Sequence, residues 1–271
     1  MQFRLAAALA LSLAAMPALA QDDKVERIAF AGGELTITET PDFEKILAFD
    51  GRELARDYFV FFDRIAEVTG TEVAFVYVGP GGNACAPAVA MVWQSEDGEI
   101  ASDIAGEEDC GAPAPAVSEN GVFFVPWLLP GETADVRAWA PGEGFRLHGR
   151  ITYAPQPDTS WASFDADAVS HPMELFQNAD ILAAAEALLG GELTDVASGL
   201  GTASAPDVSP GGLLYARGCV PHACGVADTF VVVDKAAQAI YLAQQDEPSA
   251  RFWPERAAWP KAAAALIPSA F

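Results

Sequence analysis

The stretch that most constrains this chain is residues 218–225, which read Gly-Cys-Val-Pro-His-Ala-Cys-Gly. Only Val220, Pro221, His222 and Ala223 separate Cys219 from Cys224, so a disulfide between them closes a loop too short to bury a core of its own. Gly218 and Gly225 give the borders backbone freedom, and Pro221 fixes one φ. Loop entropy puts such a closure at about 2 kcal/mol. Its expected product is a rigid display of His222. Residues 212–217 before the loop read as a strand. Residues 229–233 (Thr-Phe-Val-Val-Val) read as a strongly buried one, and 239–243 as a third after the turn at Asp234-Lys235. The loop is therefore predicted to be the tip between two antiparallel strands, where binding residues usually sit.

Residues 1–20 have the pattern of a secretory signal peptide: Arg4, an apolar core over 5–13, and the small-residue site Ala18-Leu19-Ala20 before Gln21. Its removal leaves 251 of the 271 residues, enough for a large core and two domains. No second apolar run long enough for a membrane span follows. After an export signal, the four cysteines Cys85, Cys110, Cys219 and Cys224 read as two disulfides. Of the three pairings, Cys85–Cys110 with Cys219–Cys224 is selected because each bridge is local and within one proposed domain. Zinc between Cys219, His222 and Cys224 would strain the six-residue ring. A net charge of −23, from 15 Lys and Arg against 38 Asp and Glu, disfavours nucleic acid and favours encounter with a basic partner.

The first half reads as strands at 25–30, 35–38, 45–49, 71–78, 88–93, 121–126, 134–139 and 145–153. Residues 51–57 are expected as a short helix or loop. The glycine-rich loop 79–83 lacks the Lys-Ser or Lys-Thr partner of a phosphate cradle. Glu107, Glu108 and Asp109 beside Cys110 read as an acidic surface turn rather than paired glycosidase acids. Trp127, Trp139, Phe145 and Tyr153 read as sheet core or rim, and His148 as a surface residue of an alternating strand. Residues 154–160 (Ala-Pro-Gln-Pro-Asp-Thr-Ser) have the composition of a linker. A helix is predicted over 174–189, with Ser170 as N-cap and His171 at its start, and a shorter one over 193–200. A last helix over 260–267 is expected to pack on the sheet through Phe252, Trp253, Trp259, Leu266 and Ile267. The fold class is α+β: a β-dominated N-terminal domain over 21–155, and a C-terminal domain over 165–271 with an antiparallel sheet packed by helices.

The stapled loop, the valine-rich strand after it, Tyr241 and Phe252-Trp253 together resemble the Ivy family of C-type lysozyme inhibitors. Members of that family carry the loop Cys-Lys-Pro-His-Asp-Cys, and Cys219, Pro221, His222 and Cys224 match it. The resemblance covers roughly 170–271, and the N-terminal domain resembles no named family. It implies that the loop enters a lysozyme cleft, that His222 reaches the catalytic carboxylates, and that Pro221 and the disulfide brace it. Val220 stands where the family has lysine and Ala223 where it has aspartate, so two polar neighbours of the histidine are lost.

Two function classes follow, neither needing a cofactor. One is a periplasmic or secreted inhibitor that inserts residues 219–224 into a basic, lysozyme-like muramidase. The other is an envelope binding protein using the same scaffold for a different protein partner. An enzyme is disfavoured: the three histidines lack ligand spacing, no Gly-x-Ser-x-Gly elbow occurs, and Cys219 and Cys224 lack the redox Cys-x-x-Cys spacing.

Overall fold

The computed structural model describes residues 25–82, 86–106, 111–246 and 249–271. The expected signal peptide, Cys85, Cys110 and the acidic run Glu107, Glu108 and Asp109 lie outside the described residues.

The N-terminal half consists of three consecutive four-stranded antiparallel meanders. The first holds β1 (Glu26–Phe30), β2 (Gly33–Glu39), β3 (Lys45–Phe49) and β4 (Arg52–Asp57). The second holds β5 (Phe59–Val68), β6 (Thr71–Gly79), β7 (Ala88–Gln94) and β8 (Ile100–Ala105). The third holds β9 (Pro115–Ser118), β10 (Gly121–Phe124), β11 (Thr133–Ala140) and β12 (Gly144–Thr152). Their stacking follows from the side-chain alternation of a strand. On β6, Ala74, Val76 and Val78 pack with Leu35, Ile37 and Leu47 of the first sheet. Val73 and Phe75 point the other way, to Val122, Phe124 and Trp139 of the third. The middle sheet is thus buried on both faces, which is why β6 and β7 read as unbroken apolar runs rather than alternating ones.

Two expectations change here. Residues 52–57 form the strand β4, not a helix or loop. Leu47 pairs with Ala55 and Ala48 with Glu53, so Leu54 is an extra residue at a bulge. Leu54 and Ala55 both pack against the core, a break in the period of two that hides a strand from pattern reading. The strands β5, β8 and β9, absent from the sequence reading, complete the second and third meanders.

The C-terminal part is built on a six-stranded antiparallel sheet. Its long strands are β15 (Leu214–Cys219), β16 (Asp228–Asp234), β17 (Ala239–Asp246) and β18 (Ser249–Trp253). The short strands β13 (Thr202–Ala203) and β14 (Asp207–Val208) both pair with β15. Successive residues of β16 serve opposite faces. Val231 and Val233 meet helices α1 (Ala179–Leu189) and α2 (Leu193–Ser198), while Phe230 and Val232 meet Trp259 and α3 (Lys261–Ala264). Phe252 and Trp253 are likewise divided. Phe252 packs with Trp259 as expected, but Trp253 faces the α1 side, because neighbours on a strand cannot share a face.

The predicted helix over 174–189 is two elements. A 3₁₀ segment, Pro172–Gln177, is capped by His171, whose Nδ1 accepts from the Met173 amide at 3.3 Å. Ser170 is not the cap. Its hydroxyl donates to Glu174 at 2.7 Å, and that bond holds the Glu174 carboxyl below its usual range. α1 starts afresh at Asn178, whose Oδ1 accepts from the Asp180 and Ile181 amides at 3.1 and 3.2 Å. It ends at Gly190, at φ +55°. Among the described residues the fold is mostly antiparallel β, with helices confined to the C-terminal part.

Candidate functional site

The sheet carries the cysteine loop as a tip at one end of two interior strands. In the β15–β16 ladder Gly218 pairs with Thr229 and Cys219 with Asp228, and residues 220–227 connect the two strands. Cys219 and Cys224 are disulfide-bonded, with their Cα atoms 4.9 Å apart. Within the ring the Ala223 amide donates to the Val220 carbonyl at 2.9 Å. Pro221 occupies the first central position of that turn, and His222 the second, at φ +66°. This is the pattern of a type II turn, whose second central position normally takes glycine or asparagine. An L-residue there costs about 1 kcal/mol. The turn holds the imidazole at the exposed apex, with Pro221 also exposed and Val220 and Ala223 half-buried. Val226, just beyond the ring, is 63% exposed.

The platform beneath the tip is backbone packed on backbone. Thr229 donates its amide to Gly199 O at 3.2 Å and its hydroxyl to Val196 O at 2.9 Å. A Cβ on Gly199 would lie 2.1 Å from Thr229 Oγ1, and one on Gly218 would lie 2.8 Å from Leu200 Cα. Pro221 rests over Gly201, whose added Cβ would sit 3.4 Å from the proline Cδ. The end of α2, β13 and the end of β15 thus approach too closely for side chains between them.

A carboxylate completes the support. Asp228, 4% exposed, accepts from the Gly225 amide at 2.6 Å through Oδ1. Through Oδ2 it accepts from Arg217 Nε at 2.9 Å and also from Arg217 Nη2. The Arg217 guanidinium lies 5.9 Å over the Phe271 ring, which packs at 6.1 Å on Phe230.

The other two histidines lie elsewhere. His171 caps the 3₁₀ segment, and His148 is exposed on β12, its ring centroid 4.7 Å from that of Phe123 in an edge-on arrangement. Among the aromatic residues weighed from sequence, Trp139 is fully buried and donates to Asp103 at 2.6 Å, while Trp127 is 73% exposed. Tyr153 packs against the C-terminal core. Among the described residues no group of three or more His, Cys, Asp or Glu converges to hold a metal, and no helix is long and apolar enough to cross a membrane. Sequence reasoning missed Gly199, Gly201, Arg217 and Asp228 as parts of the tip. The one available signal was an acid opening an otherwise apolar strand, Asp228-Thr-Phe-Val-Val-Val.

The architecture defines a protein of stacked antiparallel sheets that presents a disulfide-stapled histidine loop from a helix-backed sheet. Comparison with known families sharpens this. Residues 180–271 match the family model described as Inhibitor of vertebrate lysozyme (Ivy), in line with the resemblance of the loop. Residues 31–152, which the sequence reading assigned to no named family, match the model of the Y4bG N-terminal domain. The chain is similar to the "Uncharacterized protein y4bG" of Sinorhizobium fredii (strain NBRC 101917 / NGR234), 27% identical over 222 residues, covering 79% of this chain and 81% of the relative. No solved structure matches the chain.

Proposed function

We propose that this chain is a periplasmic or secreted, non-enzymatic binder and inhibitor of a C-type lysozyme or related muramidase, acting through residues 219–224. The observation that carries the reading is the presentation of His222 on a strained turn inside a disulfide ring, in a region that matches the Ivy family. An imidazole entering a cleft lined by carboxylates gains charge-assisted hydrogen bonds, and a loop already ordered loses little entropy on docking. A net charge of −23 steers it toward a basic enzyme. We assign this role to the C-terminal part of the chain, expected over 165–271, and residues 21–155 to a domain packed against it through Leu129 and Tyr153.

Binding of the oxidised protein to C-type lysozyme at two salt concentrations, beside His222→Ala, tests the proposal. The wild type binds and inhibits, and the alanine variant loses at least about tenfold in affinity, as a central contact does. Raising salt slows association and leaves dissociation nearly unchanged. Absence of binding with the disulfide intact would discard the reading. Val220 and Ala223, apolar where the family has lysine and aspartate, favour the second reading: a different protein partner with an apolar rim around its acidic site. Retention of binding to another periplasmic protein, lost in His222→Ala, would select it.

A further inference from the structure

We propose that Asp228 is a positioning residue for the stapled tip: its buried carboxylate closes the loop a second time, beside the disulfide, and sets the direction in which His222 projects. The proposal rests on the binding role given to His222. The disulfide fixes the separation of Cys219 and Cys224 and by itself sets no direction for the ring about the line joining them. A second tie off that line sets that direction. Asp228 supplies it from the opposite strand, directly across the ladder from Cys219, by taking the Gly225 amide at 2.6 Å.

Gly225 is suited to this bond because its φ of +89°, readily open only to glycine, belongs to the conformation in which its N–H meets the carboxylate. A carboxylate this buried persists only when its oxygens are satisfied. Arg217 answers the second oxygen with two donors, and Arg217 is itself seated over Phe271. The chain from Phe230 and Phe271 through Arg217 and Asp228 to Gly225 links the sheet core to the base of the tip. Pro221 over Gly201 braces the other side. Val220 and Ala223 bring no polar side chain to the turn, and the Asp228 contact reaches the base of the ring from below.

The test measures hydrogen exchange of the Gly225 amide in the oxidised full-length protein, and in parallel dissociation from C-type lysozyme. Asp228→Ala is expected to speed Gly225 exchange at least about tenfold, while amides 230–233 of β16 keep their protection. Dissociation is expected to speed about tenfold to a hundredfold, the range for a lost charged hydrogen bond, with association nearly unchanged. Asp228→Asn offers one acceptor oxygen where Gly225 and Arg217 each take one, so its Gly225 exchange is expected to fall between that of the wild type and that of Asp228→Ala. If Asp228→Ala does not fold, Asp228→Glu carries the test: it keeps the charge, displaces the oxygen by one methylene, and speeds Gly225 exchange alone. Unchanged Gly225 exchange would overturn the proposal, as would loss of protection spread evenly along β16, which would make Asp228 a general stabiliser of the sheet. Failure of every variant and the wild type to bind lysozyme would overturn the muramidase reading instead, and the exchange result would still decide the role of Asp228.

Discussion

His222 carries two separable properties, a costly backbone conformation and an imidazole, and substitution can part them. His222→Gly accepts φ +66° without the penalty of a Cβ, so stability should hold or rise by up to about 1 kcal/mol, while binding falls as far as in His222→Ala. Thermal unfolding and lysozyme titration on the same sample check both. A glycine variant that still binds would show that the ring is not the contact, and one that unfolds early would show that it is structural. The ring cysteines, Pro221 and His222 were legible in the sequence because they are contiguous and chemically distinctive. Arg217 and Asp228 were not. They are eleven positions apart, and only the pairing of β15 with β16 brings the guanidinium and carboxylate together.

At the level of elements, the tip depends on how closely α2, β13 and β15 meet. Gly199→Ala would drive a methyl to 2.1 Å from Thr229 Oγ1 and 3.0 Å from Ala227 O, neither of which is a loose end. Overpacking of this kind costs about 1–3 kcal/mol, and the shift at Thr229 should weaken lysozyme binding as well. Gly191→Ala, with nothing within 4 Å of its added Cβ and no positive φ, is the control and should be neutral or slightly stabilising. Chemical denaturation of the pair measures the difference. The capping segment before α1 makes a prediction with pH. The folded state depresses the Glu174 carboxyl, first through the Ser170 hydroxyl, so its contribution is present above the ordinary value near 4.5 and is lost as pH falls through the lowered one. Stability of the wild type over Glu174→Gln should therefore be full near pH 6 and shrink through about pH 4 and below; a difference independent of pH would refute the role of the charge. Strand positions were readable where apolar runs are unbroken, as in β6, β7 and β16. β4 and β5 escaped because each breaks its period of two at an extra residue, Leu54 and Asp63. The break at Asn178 escaped because the apolar spacing runs on across it, and only the cap marks it.

On the scale of the whole molecule, the two halves meet through ordered structure rather than a free tether. Residues 154–160 have a linker's composition, yet their polar groups find partners far along the chain. Thr159 Oγ1 accepts from the Ala179 amide at 2.8 Å, and Asn178 Nδ2 donates to Ser160 O at 3.0 Å. The Trp161 amide donates to Asp180 at 2.9 Å. Trp161 and Phe164 are then 8% and 7% exposed in the core beneath α1, where Leu129 and Tyr153 join them from the N-terminal half. Thr194 donates to Pro130 O at 2.9 Å across the same junction. None of this was visible from composition, because proline and small polar residues look alike whether their hydrogen bonds go to water or to a distant helix. The C-terminal core therefore begins about twenty residues before the family match at residue 180 and ahead of the boundary at 165. A fragment starting at 165 loses two aromatic core side chains, each worth about 3–5 kcal/mol, against a net stability of about 5–15 kcal/mol for a domain. It should lack a cooperative thermal transition. A fragment starting at 154 keeps both residues and the three hydrogen bonds to 178–180, and should unfold cooperatively, although less stably than the full chain because Leu129 and Tyr153 are missing. Calorimetry on the two fragments decides the matter. Equal, cooperative unfolding would mean that Trp161 and Phe164 are dispensable and that the boundary lies at 165. A transition in the longer fragment alone would mean that the helix-backed sheet under the stapled loop is completed by the segment that sequence composition marks as a linker.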